Sequence, residues 1–183
     1  MLNKSTRPGQ MRWGNFIVIG LLIVIGLGVG GYFLVREIYR SSVLRPFQPL
    51  LAEFQAMKPQ AMDEPNQQPC KGGVITIDVS TSSYDYYFFE MPPELKAADP
   101  ASVKTIVFLN WSKVEIDKYE GGKPAYKHFC NLEVVDRETK VLLKRENFAG
   151  GEPPMTIDSR NSYGEGTKPY DSMTSFIRAN TRR

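Results

Sequence analysis

The chain has 183 residues with 23 Lys plus Arg against 20 Asp plus Glu, a formal net charge of +3, and a single histidine. From Cys70 to Arg183 the charges balance, 16 of each sign, so the part long enough to fold has no electrostatic footprint for nucleic acid. One histidine also excludes any multi-histidine metal site.

Residues 1–15 are a short basic arm, with Lys4, Arg7 and Arg12 and no carboxylate. Residues 16–35 follow without a charge. Within them Gly26 to Gly31 spell G-x-G-x-x-G, the outline of a dinucleotide-binding loop. That motif needs a short strand before it and a second strand after it, yet Pro46 and Pro49 stand where the second strand would pair. Twenty apolar residues at about 1.5 Å each match a hydrocarbon core of about 30 Å, so the segment reads as a transmembrane helix. A cleaved signal peptide is the rival reading, but the apolar run continues through Tyr32 to Val35 before Arg36 closes it. Gly26 and Gly30 form a small-xxx-small face suited to contact between two such helices. Basic residues flank the span equally, three on each side, and the terminal amine favours a cytoplasmic N-terminus with the C-terminal domain outside.

Residues 36–69 read as a proline- and glutamine-rich stalk. Leu50, Leu51, Phe54 and Met57 stand at helical spacing within it, forming a short amphipathic helix that leans on the domain, on a copy of itself or on the bilayer. Residues 70–183 read as a small, mainly antiparallel β (α+β) domain of about six strands with a C-terminal helix. The strands are GVITIDVS, the aromatic run YDYYFFEM, VKTIVFLNW, KVEIDKY, and the hairpin AYKHFCNLEVV and KVLLKRENF joined by Asp136 to Thr139. Tyr170, Met173, Phe176 and Ile177 line one side of the terminal helix.

The hairpin running into Gly150-Gly151-Glu152-Pro153-Pro154, with Lys168-Pro169 before the last helix, resembles a group of uncharacterised bacterial proteins. In these a β-rich domain ends its last long strand in a phenylalanine and a Gly-Gly-x-Pro-Pro loop, sometimes behind a membrane anchor. The resemblance spans residues 70–179 and implies no activity and no catalytic residue.

No residue pattern spells a catalytic, cofactor or metal site. His128 and Cys130 share a strand face, as two zinc ligands would, but a packed histidine fits that mixed apolar face better. DSRNSYGEG departs from a calcium loop because Arg160 and Tyr163 occupy positions that need an oxygen ligand and a glycine. Tyr84, Tyr86 and Tyr87, with Arg160, Tyr163 and Lys168, form a candidate ligand or partner surface. Cys70 and Cys130 either pair in an oxidising compartment, closing a loop of about sixty residues, or stay free with Cys130 an ordinary buried thiol. The expected function is a membrane-anchored interaction or structural module of a bacterial envelope, with no cofactor. Its expected partners are the lipid bilayer and another envelope protein or its own copy. The alternative is a small-ligand receptor or enzyme whose site is the loop 149–169, a connection long enough to be functional.

Overall fold

The computed structural model describes residues 31–181. The chain divides into two compact units, Met1–Arg45 and Pro46–Arg183. In the first, residues 31–44 are helical (α1) and carry Arg36, Glu37 and Arg40, the last two 3.5 Å apart as an i,i+3 ion pair. Among the described residues no helix is long and apolar enough to cross a membrane. The single-pass anchor and the external placement expected from Phe16–Val35 are therefore not supported: the described part of that segment runs within one turn into charged residues. Gly26 and Gly30 lie outside the described residues.

The second unit is a six-stranded sheet in the order β2-β1-β3-β4-β5, with β6 added beside β4. The strands are β1 (Val74–Asp78), β2 (Ser83–Tyr84), β3 (Thr105–Lys118), β4 (Pro124–Asp136), β5 (Leu142–Ala149) and β6 (Gly164–Glu165). The sheet is mixed rather than mainly antiparallel, since β1 pairs parallel to β3 and β6 parallel to β4. The cause is visible in β1, where Val74 to Ile77 are all buried, Thr76 included. A strand covered on both faces belongs in the middle of a sheet. Thr76 is tolerated there because its hydroxyl donates to the Asp85 carbonyl at 3.2 Å.

The aromatic run does not extend as a strand. Asp85 accepts from the Tyr87 backbone N–H at 2.6 Å, a side-chain turn that starts the one-turn helix α3 (Tyr87–Glu90). Consecutive Tyr87 and Phe88 are consequently both buried. Downstream, the two expected strands VKTIVFLNW and KVEIDKY are one continuous strand, β3, paired along its length to β4.

Helix α4 (Tyr170–Asn180) buries Met173 and Ile177. Trp111, Cys130 and Phe148 form one cross-strand row. Tyr170 meets the Trp111 end of that row at 5.9 Å between ring centres and Phe176 meets the Phe148 end at 5.6 Å. The helix thus lies across the row with Cys130 beneath it. On the opposite face Glu133 pairs with Arg145 at 2.8 Å, and Arg145 donates to the carbonyls of Gln60, Ala61 and Asp63. Segment 46–69 is strapped there: Phe47 and Phe54 are buried, Phe47 packing edge-on against Phe88 and Phe54 lying under the Arg137 guanidinium. The short helix α2 (Leu51–Gln55) thus leans on the domain.

Cys70 and Cys130 are both buried and both free, not bridged. The start of the domain is fastened another way, by the Cys70 N–H donating to the Asn180 carbonyl at 2.7 Å beside a parallel bridge to Thr181.

The β4–β5 turn is held by Asp136. One carboxylate oxygen accepts from the N–H groups of Glu138 and Thr139 and from the Thr139 hydroxyl, and the other pairs with Lys71 at 2.9 Å. Burial alone would raise this carboxyl, but the Thr139 and Lys71 bonds outweigh it and hold it below its ordinary range. Asp136→Ala is expected to destabilise the fold by about 1–3 kcal/mol in urea denaturation at neutral pH. Because the folded carboxyl is depressed, that stabilisation is present above about pH 4 and is lost as pH falls through the depressed value, so the gap between variant and wild type closes in acid.

Candidate functional site

The conspicuous feature of the sheet is that β3 outruns its neighbour. Strand β1 covers β3 only from Thr105 to Leu109. It stops because Asp78 accepts from the Ser80 N–H and hydroxyl and from the Thr81 N–H, turning the chain back into β2. The Val79 N–H reaches the Leu109 carbonyl at 2.9 Å, so the odd-numbered residues of β3 direct their backbone groups to that side. Alternation then turns the N–H and C=O groups of Trp111, Lys113 and Glu115 outward, while the even residues bond to β4. No described segment pairs with this edge, and residues 112–118 are all exposed. Val114 and Ile116 show 46% and 43% of their surface to solvent.

Beside the edge, the α4 face carries a chain of polar and aromatic contacts. Trp111 Nε1 donates to Asp85 Oδ2 at 2.8 Å. Asp85 is buried, and desolvation pushes its carboxyl up against the opposing bonds from Tyr87 and Trp111 and the charge of Lys168. Lys168 Nζ stands 4.4 Å above the Trp111 ring, and Tyr170 stacks on Tyr87 at 5.2 Å. One rung further, Lys113 faces His128 across the ladder. Both converge on Glu165 Oε1, His128 Nε2 at 3.0 Å and Lys113 Nζ at 3.3 Å. Lys113 also sits over the rings of Tyr126 and Tyr163 at 4.6 and 5.1 Å.

Glu165 is placed by the loop after β5. Gly151 N–H donates to the Thr167 carbonyl and Gly166 N–H to the Tyr126 carbonyl, so two backbones cross in contact. A Cβ at Gly150 would lie 2.1 Å from the Thr167 oxygen and one at Gly166 2.0 Å from the Gly151 oxygen, which explains the glycines of FAGGEPP and YGEG. Tyr119 hydroxyl to Pro154 carbonyl and Lys123 to Ser159 carbonyl, each 2.6 Å, tie the loop to the β3–β4 turn.

The sequence-selected residues do not assemble into one surface. The Tyr84 hydroxyl donates to the Phe47 carbonyl, Tyr86 packs by Phe89, and Tyr87 is buried. Arg160 and Tyr163 line a shallow groove of about 470 Å³ with Glu165, but Lys168 stands apart on Trp111. Arg160 is forked onto Asp158 at 2.8 and 3.0 Å, and that bond holds the Asp158 carboxyl down at about 2. The groove's charges are therefore already paired, Arg160 within the loop and Glu165 with Lys113 and His128 on the sheet. Trp111, Lys113, Glu115 and Asp85 went unselected. The alternation of NWSKVEIDK puts the first three on one face, but nothing local reveals that β1 ends beside Leu109.

Burial pushes the Cys130 thiol up to about 12 and the Cys70 thiol up to about 11, far from thiolate character at neutral pH. Among the described residues no group of three or more His, Cys, Asp and Glu is placed to hold a metal ion. No family model matches the chain, and no curated protein or solved structure matches it at a significant level.

His128 is lowered from its ordinary value of 6.5, chiefly by burial, with Lys168 and Lys113 adding to it against Glu165. A histidine depressed in the folded state contributes stability that is complete above its unfolded pKa and is lost on acidification through the window below about 6.5. The denaturation midpoint of the wild type should therefore fall more than that of His128→Asn between about pH 7.5 and about pH 5.5. Parallel curves for the two proteins would contradict this.

Proposed function

We propose that the domain is a non-catalytic interaction module that accepts an extended polypeptide strand along the outer edge of β3. The observation that carries the reading is the run from Trp111 to Glu115, whose outward N–H and C=O groups face no described strand. A strand added there gains main-chain hydrogen bonds, while side chains on alternating faces set its specificity. The polar contacts behind the edge support this, because Trp111 and Lys113 are held from below by Asp85 and Glu165 and present a fixed backbone. The second reading, a ligand site in the loop 149–169, is favoured by the groove beneath Arg160 and Tyr163. It is weakened by the internal pairing of that groove's charged groups.

Proline at position 113 separates strand addition from loss of fold, because the Lys113 N–H points outward and supplies no bond to β4. With a photo-crosslinking residue at Val114 of the full chain, polypeptide adducts are expected. They should persist in Lys113→Ala, which keeps the N–H, and disappear in Lys113→Pro, with unchanged circular dichroism in both. Adducts from a probe at Ile157 with none from Val114 would move the site to the loop.

A further inference from the structure

We propose that the strand received by β3 is the β3 of a second copy of this chain, paired antiparallel across a two-fold axis at Val114. This rests on the strand-addition reading above and adds the partner and the register. The charges of the edge are self-complementary in one register only. An antiparallel pair across a two-fold axis sets residue 114+n opposite residue 114−n when the axis lies at Val114. Lys113 then faces Glu115 of the partner, and Glu115 faces the partner's Lys113. Both residues direct their backbone groups outward, so each facing pair exchanges both of its N–H···O=C bonds.

Neighbouring registers fail on named grounds. An axis at Lys113 sets lysine against lysine and one at Glu115 sets glutamate against glutamate, each a like-charge pair directly opposed. An axis at Ser112 sets Trp111 opposite Lys113 and Glu115 opposite Leu109, whose carbonyl is already taken by the Val79 N–H, so no opposite charges face one another. An axis at Ile116 falls on the irregularity between Glu115 and Asp117, where β3 loses register with β4. On the far face of the favoured register Val114 meets its own copy with Ile116 close by, covering the two apolar side chains the edge leaves exposed. The seam is short beside a standard interface of about 1,600 Å², so association is weak and rises with concentration.

The axis provides its own test. Val114 opposite Val114 is the non-hydrogen-bonded kind of pair, with Cα atoms about 4.5 Å apart, within reach of a disulfide. In the full chain, Val114→Cys is expected to form a covalent dimer on mild oxidation, faster than Ser112→Cys or Asp117→Cys. Cys70 and Cys130 are buried and contribute no background. Adding Lys113→Glu or Glu115→Lys to Val114→Cys should slow the crosslink by about tenfold, and adding both should restore it, since the pair is then regenerated with its signs exchanged. Failure of the double reversal to rescue would overturn the register. If Val114→Cys does not dimerise while a photo-crosslinker at Val114 still captures another polypeptide, self-pairing is overturned and the strand-addition reading stands. If neither occurs, both fall, and Lys113 and Glu115 are charges that keep a bare edge from aggregating.

Discussion

The pairing of β3 with β4 is the constraint on which the rest of this fold depends. It is the longest ladder in the molecule, running from Thr105 opposite Asp136 to Lys118 opposite Pro124. Its inner half is covered on both sides of the sheet. There β3 presents Ile106 to Leu109, all buried, and β1 adds a further strand whose buried residues Val74 to Ile77 include one polar side chain, the satisfied Thr76. Its outer half has no neighbour beyond β3, and from Lys113 to Lys118 the side chains are lysine, glutamate and aspartate with two half-exposed aliphatics. One strand therefore serves two purposes, core at one end and surface at the other.

The two layers that cover the ladder differ in kind. On one face α4 contributes a conventional apolar stripe, with Tyr170 and Phe176 reaching the two ends of the Trp111–Cys130–Phe148 row. On the other, segment 46–69 has little regular structure and is held by individual contacts, above all the three carbonyls that share the Arg145 guanidinium. A planar five-donor group suits that task, because irregular backbone leaves carbonyls that need donors. The composition that makes this stretch read as a free stalk, rich in proline and glutamine, is the composition of a strap that crosses a sheet without becoming a strand.

Much of the domain was legible from local pattern, and the failures share a cause. The β4–β5 hairpin and the terminal helix have periodicities that tertiary contacts reinforce, and both occur over the residues expected. The aromatic run was misread because alternation was inferred from residue type, whereas Asp85 captures the Tyr87 N–H and starts a helical turn. The two strands expected over VKTIVFLNW and KVEIDKY are one, because the exposed Asn110 and Ser112 are tolerated in a continuous strand where the sheet has opened to solvent. The candidate site was largely hidden for the same reason: an open edge is a property of where neighbouring strands stop. The end of β1 is set by an aspartate turn whose importance appears only once β1 and β3 are seen to be parallel. The convergence of Lys113 and His128 on Glu165 brings together residues some forty to fifty positions apart in sequence, which no spacing rule would have joined.

The clamp between Cys70 and the end of α4 has a further consequence. The domain closes its beginning onto its end by a main-chain hydrogen bond and keeps both sulfur atoms as buried, protonated thiols. Its fold therefore carries no dependence on thiol–disulfide poise: a glutathione pool set to either extreme meets neither a bridge to reduce nor a thiolate to attack. The architecture is redox-neutral by construction, held by backbone geometry where a small domain of this size could instead have used a covalent staple.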